Sequence, residues 1–412
     1  MGRTPRVFTS NPLTACSLYI PVGIHFRPGC DARLFIYTAA ITALLLLTRH
    51  PSVAREDNKY PGIKLNTGKQ IYEAACVACH GPTGQGMPES VIGFKKPSQF
   101  PDFTDCGATT SELNNDYKAV VVNGGPFRGF SQIMPAYGQA LTNKQIDAVV
   151  EYLRGFCTNP HWPRGELNLP RALITEKAYP EDEAVVTETL NAHGAPQATT
   201  QNVYEQRFGV KNEVEVTVPF SFADENHTWY GGFEDSSVGI KREIWSSLAS
   251  GSIFSVQGEV SLPAGSVKRG FGSGVTEFSP YLEFGQLFPT QTFIEFQGGA
   301  DLPVNTRIAP DDVTWDTVIG QNFQQGNGLG RLWSPMVEFL ATRDIQTGAT
   351  ISLDIVPQLE VTLSKRQHIR ADVGVRIPTI KGSSTGPLSS GGVQVLLYVL
   401  WDWQEGKLTH GW

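Results

Sequence analysis

The sequence predicts a multidomain chain in which an all-α domain precedes an all-β antiparallel barrel of 10 or 12 strands. Three observations lead to this prediction. Apolar residues recur at helical spacing within residues 55–157. Prolines punctuate residues 158–200, which indicates a linker, and residues 201–412 alternate between apolar and polar side chains with period two. The total length of 412 residues itself suggests two or three domains.

The composition excludes several classes of protein. Apolar residues make up 40% of the chain and charged residues 18%, which is too apolar for disorder and too polar for a helical membrane protein. The net charge is −7 and no basic run of five residues occurs, so we expect no nucleic-acid partner. Six cysteines in a chain of this length exclude a disulfide scaffold.

Residues 1–54 have the features of a signal peptide. Residues 34–47 form an uncharged run that is too short for a membrane-spanning helix, which needs about 20 residues, but suits a signal-peptide core. Arginines precede the run and small residues follow it, so we predict export and cleavage after Ala54. An uncleaved membrane anchor is the alternative. The leader carries five arginines against one aspartate, so its removal changes the net charge from −7 to −11.

The strongest chemical signal is Cys76-Val77-Ala78-Cys79-His80, the C-x-x-C-H pattern of covalent haem c attachment. The two-residue gap places the sulfurs one helical turn apart, so that each thiol can add to one haem vinyl group. His80 is then the proximal iron ligand through Nε2. One alternative is half of a zinc site, which needs two further ligands at short spacing. The other is a redox dithiol, which gives the histidine no role.

Met134 is the predicted second iron ligand, because a thioether sulfur suits a low-spin haem and raises its potential. The chain has only four methionines. Met1 lies in the leader, and Met87 is too near the histidine to reach round the ring. Met336 falls in a strand region. The alternative is that Met134 packs in the core and water takes the sixth position on the iron.

Helical patterns surround these residues. The spacing of four from Gly68 to His80 predicts one helix face, on which Gly68 permits close approach of another helix. Thr142 is predicted to cap a closing helix. Its side chains Val149, Tyr152 and Leu153 are expected to pack on the face that begins at Gly68.

Residues 61–156 as a whole resemble the class I monohaem cytochrome c family, with its amphipathic helix, C-x-x-C-H-G motif, Met-Pro ligand and closing helix. The resemblance implies one covalent haem c, His80 and Met134 as iron ligands, and one-electron transfer through an exposed haem edge. It also implies that the Pro88 carbonyl accepts a hydrogen bond from His80 Nδ1. No catalytic residue is predicted, and periplasmic redox proteins are the expected partners.

Two further cysteines, Cys106 and Cys157, lie near the two ends of this domain. Because export places them in an oxidising compartment, the hypothesis is a disulfide between them. Two buried free thiols are the alternative.

The linker, residues 158–200, is predicted to lie outside both domains. We expect Glu181-Asp182-Glu183 to form an acidic, solvated patch. Trp162 and Leu167–Leu169 are expected to dock on a domain surface.

The period-two segments of residues 201–412 run for about 8–13 residues, which is long for soluble strands and typical of tilted membrane strands. Examples are 213–220, 254–262, 353–363, 369–377 and 393–403. About eleven candidates occur, and because bacterial barrels have even strand numbers we expect 10 or 12. An outer-membrane barrel is favoured over a soluble sandwich and a soluble lipid-binding barrel.

Charges of both signs on the polar face would pair across the lumen of such a barrel. They are Glu215, Lys241, Glu259, Glu283, Glu338, Asp354, Glu360, Arg370, Asp372 and Arg376. Aromatic residues near strand ends or on apolar faces are expected to form a membrane girdle. They are Phe284, Phe288, Trp333, Tyr398, Trp401 and Trp403.

A second resemblance concerns the barrel. Residues 207–210, 213–219, 239–242 and 257–263 are similar in pattern to outer-membrane barrels of the phenol meta-pathway degradation type. The resemblance implies fold and location but no cargo.

The functional hypothesis is a c-type cytochrome that transfers single electrons in the periplasm and is tethered to an outer-membrane barrel. One alternative is a haem peroxidase-like enzyme, in which Met134 leaves the iron. Another is an outer-membrane transporter with a redox-sensing cytochrome domain, whose small-molecule cargo the sequence does not identify. No hydrolase, zinc-protease or P-loop motif occurs in the sequence.

Overall fold

The computed structural model describes residues 65–159, 162–192, 196–225, 227–324, 328–382 and 392–403. The predicted leader and its cleavage site after Ala54 lie outside these residues. Within the described ranges, no helix is both long enough and apolar enough to cross a membrane.

The N-terminal part of the described chain is helical. Its helices are α1 (Gly68–Ala75), α2 (Val77–His80), α3 (Glu89–Ile92), α4 (Cys106–Ser111), α5 (Asn114–Asn123) and α6 (Asn143–Arg154). Short 3₁₀ turns lie between α5 and α6, at Gly125–Arg128, and after α6, at Gly165–Leu167.

Helices α1 and α6 begin with capping boxes and cross at a glycine. Thr67 and Thr142 each accept a hydrogen bond from the backbone of the third residue of their helix, which confirms the predicted cap at Thr142. A Cβ atom on Gly68 would lie 1.9 Å from the Ala148 carbonyl oxygen. The glycine therefore permits the close approach that the sequence predicted, and the Tyr72 and Tyr152 rings meet beside it at 5.4 Å.

A disulfide joins Cys106, at the start of α4, to Cys157, just after α6. The hypothesis of a bridge between these two cysteines is confirmed. It closes the helical region by linking segments 51 residues apart in sequence.

From Glu183 onward, the strands of the described chain form one antiparallel sheet. Its strands are β1 (Glu183–Asn191), β2 (Gln197–Phe208), β3 (Asn212–Glu225), β4 (Thr228–Phe233), β5 (Ser236–Ser247), β6 (Ser252–Leu262), β7 (Glu277–Leu287), β8 (Thr292–Pro303), β9 (Asp312–Gln321), β10 (Phe323–Gln324), β11 (Arg331–Asp344), β12 (Ser352–Thr362), β13 (Ile369–Ile380) and β14 (Gln394–Asp402).

The sheet closes into a barrel with 12 positions in the described residues. Strands β4 and β5 both pair with β3, each with a different part of it, so together they occupy one position in the barrel. Strands β9 and β10 likewise both pair with β11 and together occupy one position. Each remaining strand pairs with its neighbours in sequence, β14 pairs with β1, and β9 pairs with β11. The prediction of an even-numbered antiparallel barrel with 10 or 12 strands is confirmed.

Two strands begin earlier than the predicted barrel boundary at residue 201. Strand β1 and the start of β2 lie within the range predicted as a linker. Both faces of β1 mix apolar and polar side chains. Glu183 and Val185 lie on the inward face, and Val186 and Glu188 lie on the outward face. The sequence of β1 therefore lacks the alternation of apolar and polar residues that predicts the other strands.

Burial in the barrel is inverted relative to a soluble protein. In β5 the charged side chains of Lys241 and Glu243 are 1% exposed, whereas Ile240 and Ile244 are 55% and 49% exposed. Nine of the ten charged residues predicted on the polar face are buried, and Glu259 is half-buried. Opposite charges meet inside, as in the Arg376–Asp354 pair at 2.6 Å. A closed sheet of this kind contradicts the sandwich alternative.

The predicted aromatic girdle needs a correction. Tyr398 is 1% exposed, and its hydroxyl lies within hydrogen-bonding distance of two acceptors inside the barrel, the Arg171 carbonyl at 2.7 Å and Glu360 at 2.9 Å. It alternates with the exposed Leu397 and Val399, so it belongs to the inner face. Trp403 is also buried.

Residues 167–182, here called the luminal segment, lie inside the barrel rather than outside both domains. The Leu173 and Thr175 backbone N–H groups donate to Glu338 of β11 at 3.0 and 2.8 Å. Arg171 pairs with Glu205 of β2 at 2.8 Å. The expectation that residues 167–169 dock on a domain surface is wrong, because the charged and polar groups of this segment bind partners on inward-facing strand positions. Trp162 lies outside the segment and does pack on the barrel, with its ring 4.8 Å from the guanidinium of Arg207 in β2.

The acidic patch predicted at Glu181-Asp182-Glu183 is likewise buried. The exposed fractions of Glu181, Asp182 and Glu183 are 1%, 8% and 0%. Lys177 pairs with Glu181, and Arg171 pairs with Glu183 at 2.8 Å. Cationic partners in the luminal segment itself therefore take the place of the solvent expected around these carboxylates.

The helical region contacts one end of the barrel, here called the proximal end. It is the end at which β1 begins and β14 stops, and its turns include 209–211, 248–251, 288–291 and 363–368. Arg128 Nη1 of the 3₁₀ turn donates to the Lys365 carbonyl at 3.3 Å. Leu329, from the segment before β11, is part of the helical core.

Candidate cofactor and metal site

The C-x-x-C-H motif lies where two helices meet. Cys76 ends α1, with its N–H donating to the Tyr72 carbonyl at 2.8 Å, and it also begins α2. His80 is the last residue of α2, and its N–H donates to the Cys76 carbonyl at 2.9 Å. Gly81 ends the helix with a φ of +73°. The fold therefore holds both thiols and the imidazole on one short helical turn.

A glycine-rich loop closes over the motif. The Gly86 N–H donates to the His80 carbonyl at 2.8 Å, and the Met87 N–H donates to the Cys79 carbonyl at 2.9 Å. A Cβ atom on Gly86, where φ is +84°, would lie 2.8 Å from the Phe100 ring. The loop can pass this close to Phe100 because position 86 carries no side chain.

His80 is held among aromatic rings. Its imidazole lies 5.0 Å from the Phe100 ring and 5.1 Å from the Phe103 ring. Burial lowers the pKa of His80 to about 4, so the ring is neutral at pH 7 and has a lone pair for a metal. Its Nδ1 atom is buried and has no hydrogen-bond partner among the described residues.

The partner expected for His80 Nδ1 is engaged elsewhere. The Pro88 carbonyl accepts hydrogen bonds from the N–H groups of Val91 and Ile92 in the first turn of α3, at 2.9 and 3.2 Å. The structure thus differs from the expectation drawn from the family resemblance, because a short helix begins at Pro88 and uses its carbonyl.

The two thiols of the motif are free and half-buried. Burial, together with the neighbouring Cys79, raises the pKa of Cys76 to about 11. Tyr137 donates its hydroxyl hydrogen to the Ala75 carbonyl at 2.8 Å, which anchors the helix end beside the first cysteine.

Met134 lies on a loop that two glycines position. The Gly125 N–H donates to the Met134 carbonyl at 3.0 Å, and the Met134 N–H donates to the Ser131 carbonyl at 3.3 Å. A Cβ atom on Gly125 would lie 2.2 Å from the Ser131 carbonyl oxygen, and one on Gly124 would lie 3.0 Å from the Met134 carbonyl oxygen. The Gly124-Gly125 pair is the feature of the sequence that indicates this loop.

Cys76, Cys79, His80 and Met134 line one cleft. Most of the other lining side chains are apolar or aromatic, including Phe100, Phe103, Tyr117, Val121, Phe130, Ile133, Pro135, Tyr137 and Leu153. Two thiols, an imidazole with an unpartnered buried nitrogen and a thioether form a donor set that fits a covalently attached haem. The residues predicted from the sequence are therefore brought together.

The cleft also contains charged residues that sequence reasoning missed. Glu112, Asp116 and Arg128 come from the helical region, and Arg366 and His368 come from the β12–β13 turn of the barrel. Nothing in the sequence around residues 366–368 suggests a cofactor, and only the closure of the barrel against the helices brings this turn to the cleft.

Comparison with known proteins gives matches for each part of the chain. The Cytochrome c family model matches residues 65–156. Cytochrome c-555 of Prosthecochloris aestuarii is 34% identical over 91 residues, which are 22% of this chain and 84% of that protein. An outer membrane channel from Pseudomonas putida F1 is 8% identical and covers 57% of this chain and 100% of its own, with a TM-score of 0.41. The KdgM porin is 8% identical and covers 54% of this chain and 99% of its own, with a TM-score of 0.35.

Proposed function

The chain belongs to the cytochrome c family, and from this premise we propose that it carries single electrons in the periplasm while anchored in the outer membrane. The observation that carries the proposal is the cleft in which the C-x-x-C-H motif and Met134 meet. Membership of the family implies a covalently bound haem c.

In this proposal each cleft residue has a distinct role. Cys76 and Cys79 would hold the haem through two thioether bonds, and His80 and Met134 would be the ligands of its iron. When bound, haem c takes up and releases one electron. With two protein ligands the iron would offer peroxide no binding position, which favours an electron carrier over a peroxidase. The apolar walls exclude water from the group that they surround.

The outer surface of the barrel supports a membrane location. Large apolar side chains are exposed on the outer face of strands around the barrel. An apolar surface of this extent is unfavourable in water and favourable in contact with lipid. The exposed side chains include Val186, Leu190, Tyr204, Phe222, Val238, Ile240, Leu282, Phe296, Val373, Leu397 and Val399. Apolar side chains facing outward and charged side chains facing inward are the arrangement that a lipid-embedded barrel requires.

The lengths of the connections support a periplasmic position for the cytochrome. Outer-membrane barrels have short turns on the periplasmic side and longer loops outside the cell. At the proximal end, which the helices contact, the turns 209–211, 248–251 and 288–291 are short. The opposite end has the longer connections 263–276 and 381–393. The proximal end is therefore the periplasmic end in this proposal.

The filled lumen favours an anchor over a transporter. The luminal segment contacts inward-facing residues from several sides of the barrel, including Glu205, Ser255, Gln297, Glu338 and Gln358. Its backbone and side chains thus occupy space that a solute would need. We expect the protein reconstituted in a planar lipid bilayer to show no steady conductance where an open porin does. A stable open-channel current would support the transporter instead.

A spectroscopic experiment tests the haem assignment. We expect the detergent-purified protein to show a low-spin haem c spectrum and to retain its haem after denaturation and acid-acetone extraction. Cys76→Ser or Cys79→Ser should leave at most one thioether and reduce retention of the haem. Free extraction of the haem from the wild type would overturn the covalent assignment.

A further inference from the structure

Three carboxylates meet inside the barrel, apart from the proposed haem cleft. They are Glu176 of the luminal segment, Glu205 of β2 and Glu215 of β3. One oxygen from each side chain lies within 4.8 Å of the other two oxygens. None of the three residues lines the haem cleft, so the proposed electron transfer gives this cluster no role.

The cluster is assembled from three separate parts of the chain. Glu205 and Glu215 are register partners on β2 and β3, and their side chains point into the lumen with exposed fractions of 0% and 5%. The luminal segment brings Glu176 to them. Both the pairing of the strands and the insertion of the segment are therefore needed to form the cluster.

Arg171 orients two of the three carboxylates. Its Nη2 donates to Glu176 at 3.0 Å, and its Nη1 donates to the two oxygens of Glu205 at 2.8 and 3.0 Å. Carboxylates that bind a metal ion commonly accept hydrogen bonds of this kind, which fix their orientation. Because an ionised carboxylate has about four lone-pair positions, both groups retain positions for a further partner.

A buried amide beside the cluster has an oxygen without a partner. Gln257 of β6 is 4% exposed, and its Nε2 lies 3.5 Å from Oε2 of Glu215. Its Oε1 accepts no hydrogen bond from the residues that the structure describes. A half-turn of this amide exchanges its nitrogen and oxygen and so presents Oε1 to the cluster. This neutral oxygen is a second, independent indication of a cationic ligand.

The buried charges around the cluster do not balance. Arg171, Lys177 and Lys241 are ion-paired with six carboxylates in the lumen. Glu215 is a seventh, and within the described ranges it makes hydrogen bonds with Thr217 and Gln257 but no ion pair. Buried carboxylates without compensating charge are costly, so this part of the lumen favours a further cation.

We propose that Glu176, Glu205 and Glu215 bind a calcium ion inside the barrel, with the amide oxygen of Gln257 as a neutral fourth ligand. Calcium prefers oxygen ligands at about 2.3–2.6 Å, so two ligands of one ion lie at most about 5 Å apart, as the cluster requires. All of the donors are oxygens, which suits this hard cation better than zinc or copper. The ion joins the luminal segment to β2 and β3. The inference goes beyond the proposed function and requires no haem.

Calcium titration of the full-length protein in detergent, followed by isothermal titration calorimetry after treatment with a chelator, tests this proposal. We expect the wild type to bind calcium at a single site. Glu215→Gln keeps the size of the side chain but removes its charge, so it should weaken binding by at least about tenfold. Glu295→Gln is the matched control, because it removes the same charge from another inward-facing position, on β8, where Glu295 is 1% exposed. It should leave the affinity unchanged.

A second variant provides a measurement that does not depend on the first. Gln257→Ala removes the amide oxygen without removing a charge, and it should weaken calcium binding by a smaller factor than Glu215→Gln. Faster migration of the unheated protein on a gel identifies the variants that fold. If Glu215→Gln does not fold, an unchanged affinity in Gln257→Ala would overturn the proposal.

Three further outcomes would also overturn the calcium site. Failure of the chelated wild type to bind calcium would mean that protons neutralise the excess carboxylates. Wild-type affinity in folded Glu215→Gln would place any bound calcium elsewhere. Equal losses of affinity in Glu215→Gln and Glu295→Gln would mean that calcium responds only to the overall negative charge of the lumen. The presence or absence of covalent haem, in contrast, tests only the proposed function.

Discussion

At the scale of single residues, the sequence predicted the donor set because its chemistry is local. The C-x-x-C-H motif is contiguous, and Met134 was found by eliminating three other methionines. Both now line one cleft. Arg366 could not be predicted, because its contact with Gly129 joins residues 237 positions apart. A long-range contact of this kind leaves no periodicity or spacing in the sequence.

Replacement of Met134 tests the proposed sixth ligand. Met134→Ala should remove the methionine-to-iron charge-transfer band of the oxidised protein and lower its potential. It should also create peroxidase activity where the wild type has little, because a position on the iron opens.

Met87→Ala is the matched control, since Met87 does not line the cleft. An unchanged charge-transfer band in Met134→Ala would refute the assignment of the ligand. Rapid peroxide turnover by the wild type, falling in this variant, would favour the enzyme alternative.

At the scale of helices and strands, prediction succeeded where a pattern was regular. The cap at Thr142 and the close approach at Gly68 follow from residue type and spacing, and the structure has both. Strand β1 was missed because apolar and polar residues mix on both of its faces. Tyr398 faces inward although it is aromatic, because its place in the alternation of β14, and not its residue type, determines its face.

Substitution of Gly68 tests the helix crossing. In Gly68→Ala the new methyl group would collide with the Ala148 carbonyl oxygen, which backbone atoms cannot easily relieve. We expect a loss of about 1–3 kcal/mol in the free energy of unfolding of the helical domain, measured by denaturant titration of its circular dichroism. Gly258→Ala, where no atom lies within 4 Å of the new Cβ, is the control and should have little effect. Equal stabilities for the two variants would rule out a tight crossing.

Removal of the disulfide tests the closure of the helical domain. Cys106 and Cys157 enclose a long segment of chain, so the bridge restricts the unfolded state. Replacing both by serine should cost about 2–5 kcal/mol of stability. The midpoint of denaturation with and without a reducing agent measures this cost, and only the wild type should respond to the reductant. A response of the double variant to the reductant would show that another bond is responsible.

At the scale of the whole molecule, the inverted burial of the barrel was predictable and its filled interior was not. Alternation with charged residues on one face predicted which side chains point inward. The luminal segment carries no such pattern. The acidic residues at its end are predicted to face solvent, but in the structure Lys177 pairs with Glu181 and Arg171 pairs with the neighbouring Glu183. The resemblance of the barrel to the phenol meta-pathway degradation type stays a prediction.

The central claim is that one chain is both a c-type cytochrome and an outer-membrane barrel, and a haem-stained gel of fractionated cells tests it most directly. Outer-membrane and soluble periplasmic fractions are run with and without heating, and covalent haem is detected in the gel. We expect a single haem-stained band in the outer-membrane fraction that migrates faster when unheated, because a folded barrel resists the detergent. A haem-stained band of full mature length in the soluble fraction, with the same mobility before and after heating, would contradict the account.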